Sequence, residues 1–199
     1  MSNIGSAGTI CIRRARPADA AAIGAVHAET WRNTYAGVLP DAYLAALCPR
    51  RLGSAYGQVV LDRTHGHAVF VAVASGMAGG EGGGEPPEVI GFASGGRSRR
   101  PALAEGEIET LYLLEDYRER GVGRRLMRAM AAHLKAIGCR SAMLWVLRDN
   151  PTRWFYERLG GRLAAREVIR FAGLDVEQNA MVWDSIESLL AATAPAPDR

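Results

Sequence analysis

Cysteine is scarce in this chain, and the few that occur are widely spaced. The 199 residues include three cysteines, Cys11, Cys48 and Cys139. An odd number of distant thiols argues against a disulfide framework and against paired zinc ligands. His65 and His67 have no third ligand nearby in the sequence, so we interpret them as a loop pair and expect no metal site.

Long apolar runs are also lacking. The longest ones, such as residues 68–74, are far shorter than the roughly 20 residues of a membrane-spanning helix. Residues 1–12 have neither the basic start nor the continuous apolar segment of a secretory signal. We therefore expect a cytoplasmic protein with no membrane partner.

Charge of either sign shows no large excess. The formal net charge is +3 and the isoelectric point is near 9.0, which suits an anionic ligand and does not require a nucleic acid. Arg97, Arg99 and Arg100 form a short basic run that could attract RNA or an acidic substrate. A solvated loop explains the run more simply, so we do not expect a nucleic-acid partner.

Apolar periodicity predicts alternating strands and helices. With 48% hydrophobic residues, the chain fits one domain, which we place at residues 10–184, between a flexible N-terminus (1–9) and a partly disordered tail (185–199). Residues 75–87 are rich in glycine but lack the Gly-Lys-Ser/Thr ending of a phosphate loop, so we expect a mobile hairpin loop. The order of elements indicates a mixed sheet with helices on its faces. The expected strands are 10–14, 68–74, 89–93, 107–113, 141–147, 162–171 and 176–184, and the expected helices are 17–33, 42–47, 52–60, 122–137 and 150–161.

The stretch from Glu107 to Arg125 has the pattern of an anion site. It reads E-I-E-T-L-Y-L-L-E-D-Y-R-E-R-G-V-G-R-R, a strand that runs through a glycine-containing turn into a helix. Free backbone N–H groups and the aligned peptide dipoles at a helix N-terminus favour a bound anion. Gly121 and Gly123 carry no Cβ, so the backbone can come close to a ligand.

The same stretch, together with L-W-V-L-R-D-N-P-T-R-W-F-Y-E-R-L-G-G further on, resembles the acyl-CoA binding core of the GCN5-related N-acetyltransferase (GNAT) family. The segments I-R-R-A-R-P-A-D-A-A-A-I and W-R-N-T-Y-A-G-V-L-P resemble the front end of many bacterial members. The resemblance covers residues 10–184 and is most specific over 107–161. It implies an α/β (α+β) fold of the acyl-CoA N-acyltransferase type, with a mixed, mostly antiparallel, splayed sheet of about seven strands flanked by helices.

The resemblance also implies where acetyl-CoA binds. The turn's backbone amides would hold the pyrophosphate, and the edge of the strand before it would bind the pantetheine arm, as in strand addition. The thioester would lie where the strands 107–113 and 141–147 splay apart, with a backbone N–H near Leu113 stabilising the oxyanion. The implied cofactor-binding residues are Leu111, Tyr112, Leu113, Arg118, Glu119, Arg120, Gly121, Val122, Gly123, Arg124, Asn150 and Tyr156.

Tyr156 is the predicted general acid. The departing CoA thiolate needs a proton, and a phenol can supply one when it is well placed. The match of F-Y-E-R-L-G to the family motif favours this role over that of an ordinary core tyrosine. A contact to the cofactor without proton transfer is the remaining alternative.

A base must take a proton from the ammonium form of the acceptor. Glu107 and Glu109 alternate onto one face of the predicted strand, which would also carry Leu111 and Leu113. Either glutamate could be the base, water could replace both, and both could be plain surface carboxylates.

Three further residues each have a structural and a functional interpretation. Asn150 is either the N-cap of a helix whose first turn contains Pro151, or a contact to the pantetheine arm, or both. Trp31 and Tyr35 lie where related enzymes line the acceptor pocket, but ordinary helix packing explains them equally well.

Together these features predict an acetyl-CoA-dependent N-acetyltransferase that acts on a primary amine, in a small molecule or a peptide, by direct attack in a ternary complex. A non-catalytic acyl-CoA sensor and a basic RNA-associated module are the alternatives. The resemblance makes a homodimer plausible.

Overall fold

The computed structural model describes residues 9–62, 64–75 and 87–195. Most of the predicted N-terminus and nearly all of the glycine-rich loop lie outside these residues. The strands are β1 (Thr9–Arg14), β2 (Ala68–Ser75), β3 (Glu88–Arg97), β4 (Gly106–Leu113), β5 (Ala142–Leu147), β6 (Arg162–Phe171) and β7 (Leu174–Trp183), and the helices are α1 (Ala20–Thr34), α2 (Asp41–Ala46), α3 (Pro49–Leu61), α4 (Val122–Ala136), α5 (Arg153–Arg158) and α6 (Ile186–Ala192).

The strands form one sheet in the order β1-β2-β3-β4-β5-β7-β6. Every neighbouring pair is antiparallel except β4 and β5, which run parallel. Parallel neighbours need a crossover connection, and α4 supplies it across one face of the sheet. The predicted class, a mostly antiparallel mixed sheet of seven strands flanked by helices, is confirmed.

Each face of the sheet is covered by helices. Leu126, Met130 and Leu134 recur along α4 at helical spacing, and all three are fully buried against the sheet. Burying one such side chain stabilises the fold by about 1.5–3 kcal/mol. On the other face, Ile23 of α1 packs with Phe92 of β3 in a second cluster that also contains residues of α3. The sheet is therefore sandwiched, and its central strands β3 and β4 are held from both sides.

Helix α6 extends the packed unit past the predicted boundary at residue 184. Its Ile186 and Leu189 are buried in the same cluster as α4. Arg128 on α4 donates from Nη1 to the carbonyl of Leu190 at 2.7 Å. The start of the predicted tail is thus a helix packed on the core. No helix in the described part of the chain is long and apolar enough to cross a membrane.

Helix α5 is short but anchored at both ends. Before it, Asn150 donates from Nδ2 to the hydroxyl of Tyr35, at the end of α1, at 2.9 Å. After it, the buried Trp183 on β7 donates from Nε1 to the carbonyl of Leu159 at 2.8 Å. These two bonds tie α5 to α1 and to the sheet, and so fix the position of Tyr156, which lies between them.

Candidate active site

Strands β4 and β5 separate after a brief contact. Their parallel pairing comprises Gly106 with Ala142 and Glu107 with Met143, and no further pair joins them within the described residues. Beyond this contact a cavity of about 770 Å³ opens between the two strands. The splay that the family resemblance implied is present, and the cavity occupies it.

The wall of the cavity on one side is β4. All residues from Ile108 to Leu113 line it, and Leu144 to Val146 of β5 lie opposite. Because β4 has no strand partner on this side, its backbone N–H and C=O groups are available to an extended ligand. The structure therefore brings the predicted pantetheine-binding residues, Leu111, Tyr112 and Leu113, to the cavity.

One end of the cavity is the turn before α4. Gly121 adopts a left-handed conformation with φ of 75° and immediately precedes the helix. The N–H groups of the first helical turn have no partner within the helix, and the helix dipole adds positive potential there. Five predicted residues from this turn line the cavity: Arg118, Glu119, Gly121, Gly123 and Arg124.

Two predicted residues of the turn have side chains elsewhere. The Arg120 guanidinium lies over the ring of Tyr117, 5.5 Å from its centroid, and Val122 is 1% exposed in the core. Neither lines the cavity. The anion-site hypothesis requires only the backbone N–H groups of these two residues, not their side chains.

The side chain of Arg118 is oriented by a hydrogen bond within the protein. Its Nη2 donates to Thr34 Oγ1 at the end of α1, at 3.0 Å. Arg124 and Arg158 also line the cavity. Arg118 and Arg124 flank the N-terminus of α4 and make this end suited to phosphate groups, because arginine presents several N–H donors to phosphate oxygens.

Tyr156 lies in the opposite wall, on α5. It is 7% exposed and lines the cavity. Burial raises the pKa of its hydroxyl, and the neighbouring Tyr35 adds to this effect. The phenol therefore keeps its proton across the physiological pH range.

Asn150 differs from the prediction in one respect. Helix α5 begins at Arg153, and the residue that precedes it is Thr152, so Asn150 is not the N-cap. Its Oδ1 instead accepts hydrogen bonds from the backbone N–H and the hydroxyl of Thr152, at 2.8 and 2.7 Å. The Asn150 side chain thus stabilises a turn over residues 150–152, and the helix begins directly after this turn. Asn150 still lines the cavity.

The predicted alternation along β4 is wrong. Gly95 of β3 pairs with Ile108 and Ser94 pairs with Thr110, which leaves Glu109 as an extra residue in a β-bulge. A bulge inserts one residue and reverses the faces beyond it. Leu111 and Leu113 consequently pack on the α4 side of the sheet.

The two glutamates stay together despite the bulge. Glu107 and Glu109 line a second cavity of about 310 Å³, and Glu109 also lines the main one. Ile108 and Trp145 are likewise shared by both cavities. Glu109 thus lies where the two cavities meet, within reach of a ligand in either.

Glu107 is neither exposed nor at the main cavity. It is 2% exposed, and Arg99 donates to it from Nη2 at 2.6 Å and from both Nε and the backbone N at 3.2 Å. The Arg99 side chain is largely exposed, so it is removal of Arg99 that would leave the buried Glu107 carboxylate uncompensated. The interpretation of Glu107 as a surface carboxylate is therefore wrong, and its contacts are those of a structural ion pair.

Glu109 has a different environment. Its Oε2 lies 3.2 Å from Nε2 of His67, and its side chain is 31% exposed. The hydrogen bond from His67 is the main reason that the pKa of this carboxyl lies below its ordinary value, against an opposing effect of burial. Glu109 is therefore ionised at neutral pH.

The predicted acceptor residues are only partly at the cavity. Tyr35 lines it and is buried, whereas Trp31 does not line it. Trp31 instead packs in an aromatic cluster with Tyr35, Tyr43 and Phe171, at ring-centroid distances of 5.1, 6.2 and 5.7 Å. This cluster joins α1 and α2 to the turn between β6 and β7.

The basic run near residue 100 has intramolecular partners. Arg97 donates from Nη2 to the carbonyl of Ile137 at 2.7 Å, and Arg99 pairs with Glu107. Arg100 and Glu167 approach to 3.2 Å. Each of these three arginines therefore has an intramolecular partner. The RNA-associated alternative also rested on the arginines around residues 118–128.

The sequence analysis missed several residues that line the cavity. Trp154, Phe155 and Arg158 lie in the quoted motif N-P-T-R-W-F-Y-E-R, beside Tyr156, so the same motif could have indicated them. Thr34 and Trp145 also lie in segments quoted for the resemblance, but only the fold shows that α1 and β5 reach the site. All five line the main cavity.

A splayed sheet, an anion-suited turn and a tyrosine across the gap define the acyl-CoA N-acyltransferase class. Comparison with known families agrees: the model of the acetyltransferase (GNAT) family matches residues 25–161. The chain belongs to the GNAT family and is an acyltransferase. The family resemblance noted in the sequence is confirmed.

Individual relatives extend the match over most of the chain. The uncharacterized N-acetyltransferase YuaI of Bacillus subtilis (strain 168) is 29% identical over 182 residues, which are 90% of this chain and 96% of YuaI. Among solved structures, YncA from Salmonella typhimurium with its cofactor acetyl-CoA has a TM-score of 0.60 and 20% identity, and covers 95% of this chain and 98% of its own. NAA60 of Arabidopsis thaliana, solved in complex with a bisubstrate analogue, has a TM-score of 0.62 and 21% identity, with 88% and 98% covered.

Proposed function

We propose that this protein transfers the acetyl group of acetyl-CoA to a primary amine, by direct attack within a ternary complex. The observation that carries the proposal is the geometry of the main cavity. It runs from the turn before α4 into the gap between β4 and β5, and has Glu109 and Tyr156 in its walls. A base and an acid on either side of one reacting carbon are what an acyl transfer to an amine requires.

The donor would lie along β4. The pyrophosphate would bind the free N–H groups at the start of α4, close to Arg118 and Arg124, and the pantetheine arm would pair with the open edge of β4. The thioester would then reach the splay. The relative YncA binds acetyl-CoA as its cofactor, which supports the choice of donor.

Attack by the amine forms a C–N bond and moves negative charge onto the thioester oxygen. A backbone N–H near Leu113 would stabilise that oxygen. When the C–S bond breaks, the thiolate takes the proton of the Tyr156 hydroxyl. The pKa of that hydroxyl is raised by burial, but a thiolate in the same dry cavity is also more basic than in water, so the transfer can accompany bond cleavage.

Glu109 would receive the proton that the amine loses, directly or through one water. Glu109 is ionised and lines the main cavity. Glu107, in contrast, forms an ion pair with Arg99. Of the alternatives that the sequence left open, the geometry favours Glu109. Tyr35, which lines the main cavity, would contact the acceptor.

None of the three cysteines, all within the described residues, lines the main cavity where a covalent acetyl-enzyme would have to form. The thiol of Cys139 is buried beyond the C-terminal end of α4, and its Sγ donates to the carbonyl of Glu105 at 3.5 Å. Burial raises the pKa of that thiol, which lowers the fraction of thiolate. Direct transfer is also supported by NAA60, which was solved with a bisubstrate analogue.

The test is release of free CoA thiol from acetyl-CoA in the presence of a panel of small amines, polyamines, amino acids and peptides. We expect release that depends on one class of amine, with the acetylated amine identified by mass spectrometry. Tight binding of acetyl-CoA without amine-dependent release would instead support the acyl-CoA sensor. A cytoplasmic location and a homodimer stay predictions from the sequence.

A further inference from the structure

His67 contacts Glu109 from outside the elements that build the cofactor site. It lies just before β2 and meets the bulge of β4 across the sheet, with Nε2 at 3.2 Å from Glu109 Oε2. Its side chain is 11% exposed. Because the bulge makes Glu109 an extra residue in the ladder, its side chain is not directed by strand alternation alone and needs a partner to fix it.

The imidazole has one satisfied and one unsatisfied nitrogen. Nδ1 of His67 is buried and has no hydrogen-bond partner among the described residues. A neutral ring that carries its proton on Nε2 leaves only a weak acceptor unpaired, whereas a protonated ring would leave a buried N–H donor of a cation unpaired. Since an unpaired buried charged donor costs more than an unpaired acceptor, the geometry indicates a neutral ring that donates Nε2–H to Glu109.

The backbone of His67 is fixed by close packing against Gly96 of β3. A Cβ at Gly96 would lie 3.1 Å from the Cα of His67 and 3.1 Å from the carbonyl oxygen of His65. The N–H of His67 donates to the carbonyl of Thr64 at 2.9 Å. Because the backbone of His67 is already fixed, orienting Glu109 costs His67 little further conformational entropy.

We propose that His67 is a positioning residue of the acyl transfer, which holds the Glu109 carboxylate at the junction of the two cavities and makes it the proton acceptor. The inference rests on the proposed function. As the amine attacks, its N–H bond breaks and an O–H bond forms on Glu109, while the electron pair of that N–H bond stays on the nitrogen that has bonded to the acetyl carbon. His67 keeps its own proton throughout and acts only through Glu109.

Other charged groups around Glu109 bear on its titration. Arg99 lowers its pKa and Asp62 raises it, both more weakly than His67 does. Removal of the His67 donor leaves burial as the larger remaining influence, which raises the pKa of the carboxyl. The groups that face Glu109 are His67 before β2, Tyr56 and Asp62 at α3, Arg99 and Arg100 after β3, Glu107 on β4 and Glu167 on β6.

Two substitutions separate hydrogen-bond donation from other roles. His67→Gln keeps an N–H donor at about the position of Nε2, and His67→Met has a similar size without a donor. His65→Asn is the matched control, since it changes a histidine two residues away that does not contact Glu109, and asparagine tolerates the left-handed backbone there (φ of 51°).

The first measurement does not depend on turnover. The carboxyl ¹³C signal of Glu109, assigned by its loss in Glu109→Gln, is titrated in each variant. We expect the pKa of Glu109 in His67→Met to be about one unit or more above the wild-type value, and the values in His67→Gln and His65→Asn to stay near wild type. Equal values in His67→Met and the wild type would overturn the inference.

The second measurement is the pH dependence of kcat/KM with the best amine. For His67→Met we expect the acidic limb to move to higher pH and kcat to fall by about tenfold at neutral pH, with the Kd for CoA unchanged. His67→Gln should retain most of the activity. The positioning role is wrong if kcat falls as far in folded His67→Gln as in His67→Met. It is also wrong if kcat falls as far in His65→Asn. A wild type inactive toward every amine would refute the proposed function, and the titration would still decide whether His67 controls Glu109.

Discussion

Tyr156 combines burial with a place in the wall of the main cavity. It is buried, so its phenol stays neutral, and it faces the splay where the thioester would bind. Its position is set by neighbours on other elements, through Asn150 at one end of α5 and Trp183 at the other. A general acid needs this kind of fixed position, because proton transfer is efficient only over hydrogen-bond distances.

Replacing Tyr156 by phenylalanine removes the proton and keeps the ring. We expect kcat to fall by about tenfold or more, since general acid catalysis contributes roughly 10²- to 10⁴-fold, and the Kd for CoA to change little. Steady-state rates of thiol release and calorimetric titration with CoA give the two quantities.

The matched control for this change is Tyr117→Phe. Tyr117 lies outside the cavity lining, with its ring beneath Arg120, so its substitution should leave kcat near the wild-type value. Wild-type turnover in Tyr156→Phe, under conditions where chemistry limits the rate, would remove the acid role from Tyr156.

At the scale of elements, the turn before α4 is where the proposal places the pyrophosphate of the donor. A Cβ at Gly121 would meet no protein atom within 4 Å, so the protein itself leaves that space open. Two things make glycine necessary there, the left-handed backbone and the approach of a ligand. Gly160, after α5, has the same kind of backbone (φ of 81°) and the same open surroundings, but does not line the cavity.

We expect Gly121→Val to weaken acetyl-CoA binding by at least about tenfold, because the added side chain would occupy the space next to the helix N–H groups that hold the phosphate. Gly160→Val should cost a similar amount of stability, about 1–2 kcal/mol for a left-handed residue with a side chain, without changing that affinity. Calorimetry and urea unfolding of both variants test this pair of outcomes. Equal losses of affinity in the two variants would place the pyrophosphate elsewhere.

The entry into α1 depends on an ion pair from β1. Asp19 is 8% exposed and accepts hydrogen bonds from Arg13 Nη1 and Nη2, at 2.7 and 2.8 Å, and from the backbone N–H of Arg16 at 2.7 Å. The Arg13 guanidinium is the main reason that the pKa of Asp19 lies below its ordinary value. A carboxyl with a lower pKa in the folded state stabilises the fold above its unfolded-state pKa, and this contribution is lost as the pH falls through the folded-state pKa.

Asp19→Asn should therefore destabilise the protein most at neutral pH. We expect a loss of about 1.5–3 kcal/mol in the free energy of unfolding at pH 7, and a smaller difference from wild type below about pH 4. Urea unfolding at several pH values measures both. A difference that stays constant down to pH 3 would mean that ionisation of Asp19 contributes nothing.

For the whole molecule, the sequence was most informative where patterns are local. The strong period of α4, the glycine turn before it and the motif around Tyr156 each lie within about twenty consecutive residues, and together they indicated the fold class and most of the cofactor side. Helix α5 was placed two or three residues too early, because residues 150–152 form a turn that the Asn150 side chain stabilises.

Features that depend on contacts distant in the sequence were beyond the sequence analysis. The bulge at Glu109 arises from the pairing of β3 with β4, and a period of two gives no sign of where one extra residue will be inserted. The different environments of Glu107 and Glu109 likewise come from Arg99 and His67. Two glutamates that looked equivalent in the strand thus have different surroundings in the fold.

The sheet as a whole would allow both substrates to bind at once. Antiparallel pairs hold β1 to β4 on one side and β5 to β7 on the other, and the short parallel contact between β4 and β5 leaves the gap. The donor would fill this gap from the side of α4. The second cavity, which shares Glu109 and Trp145 with the first, would give the amine access to the same carbon, so no acetyl group needs to be stored on the protein.

Direct transfer is tested most directly by measuring initial rates of thiol release while the concentrations of both substrates are varied. In a ternary-complex mechanism the double-reciprocal lines converge, and after incubation with acetyl-CoA alone the intact mass of the protein is unchanged. We predict both results. Parallel lines together with a protein heavier by one acetyl group would show a covalent acetyl-enzyme, and would contradict direct attack by the amine in the cavity between β4 and β5.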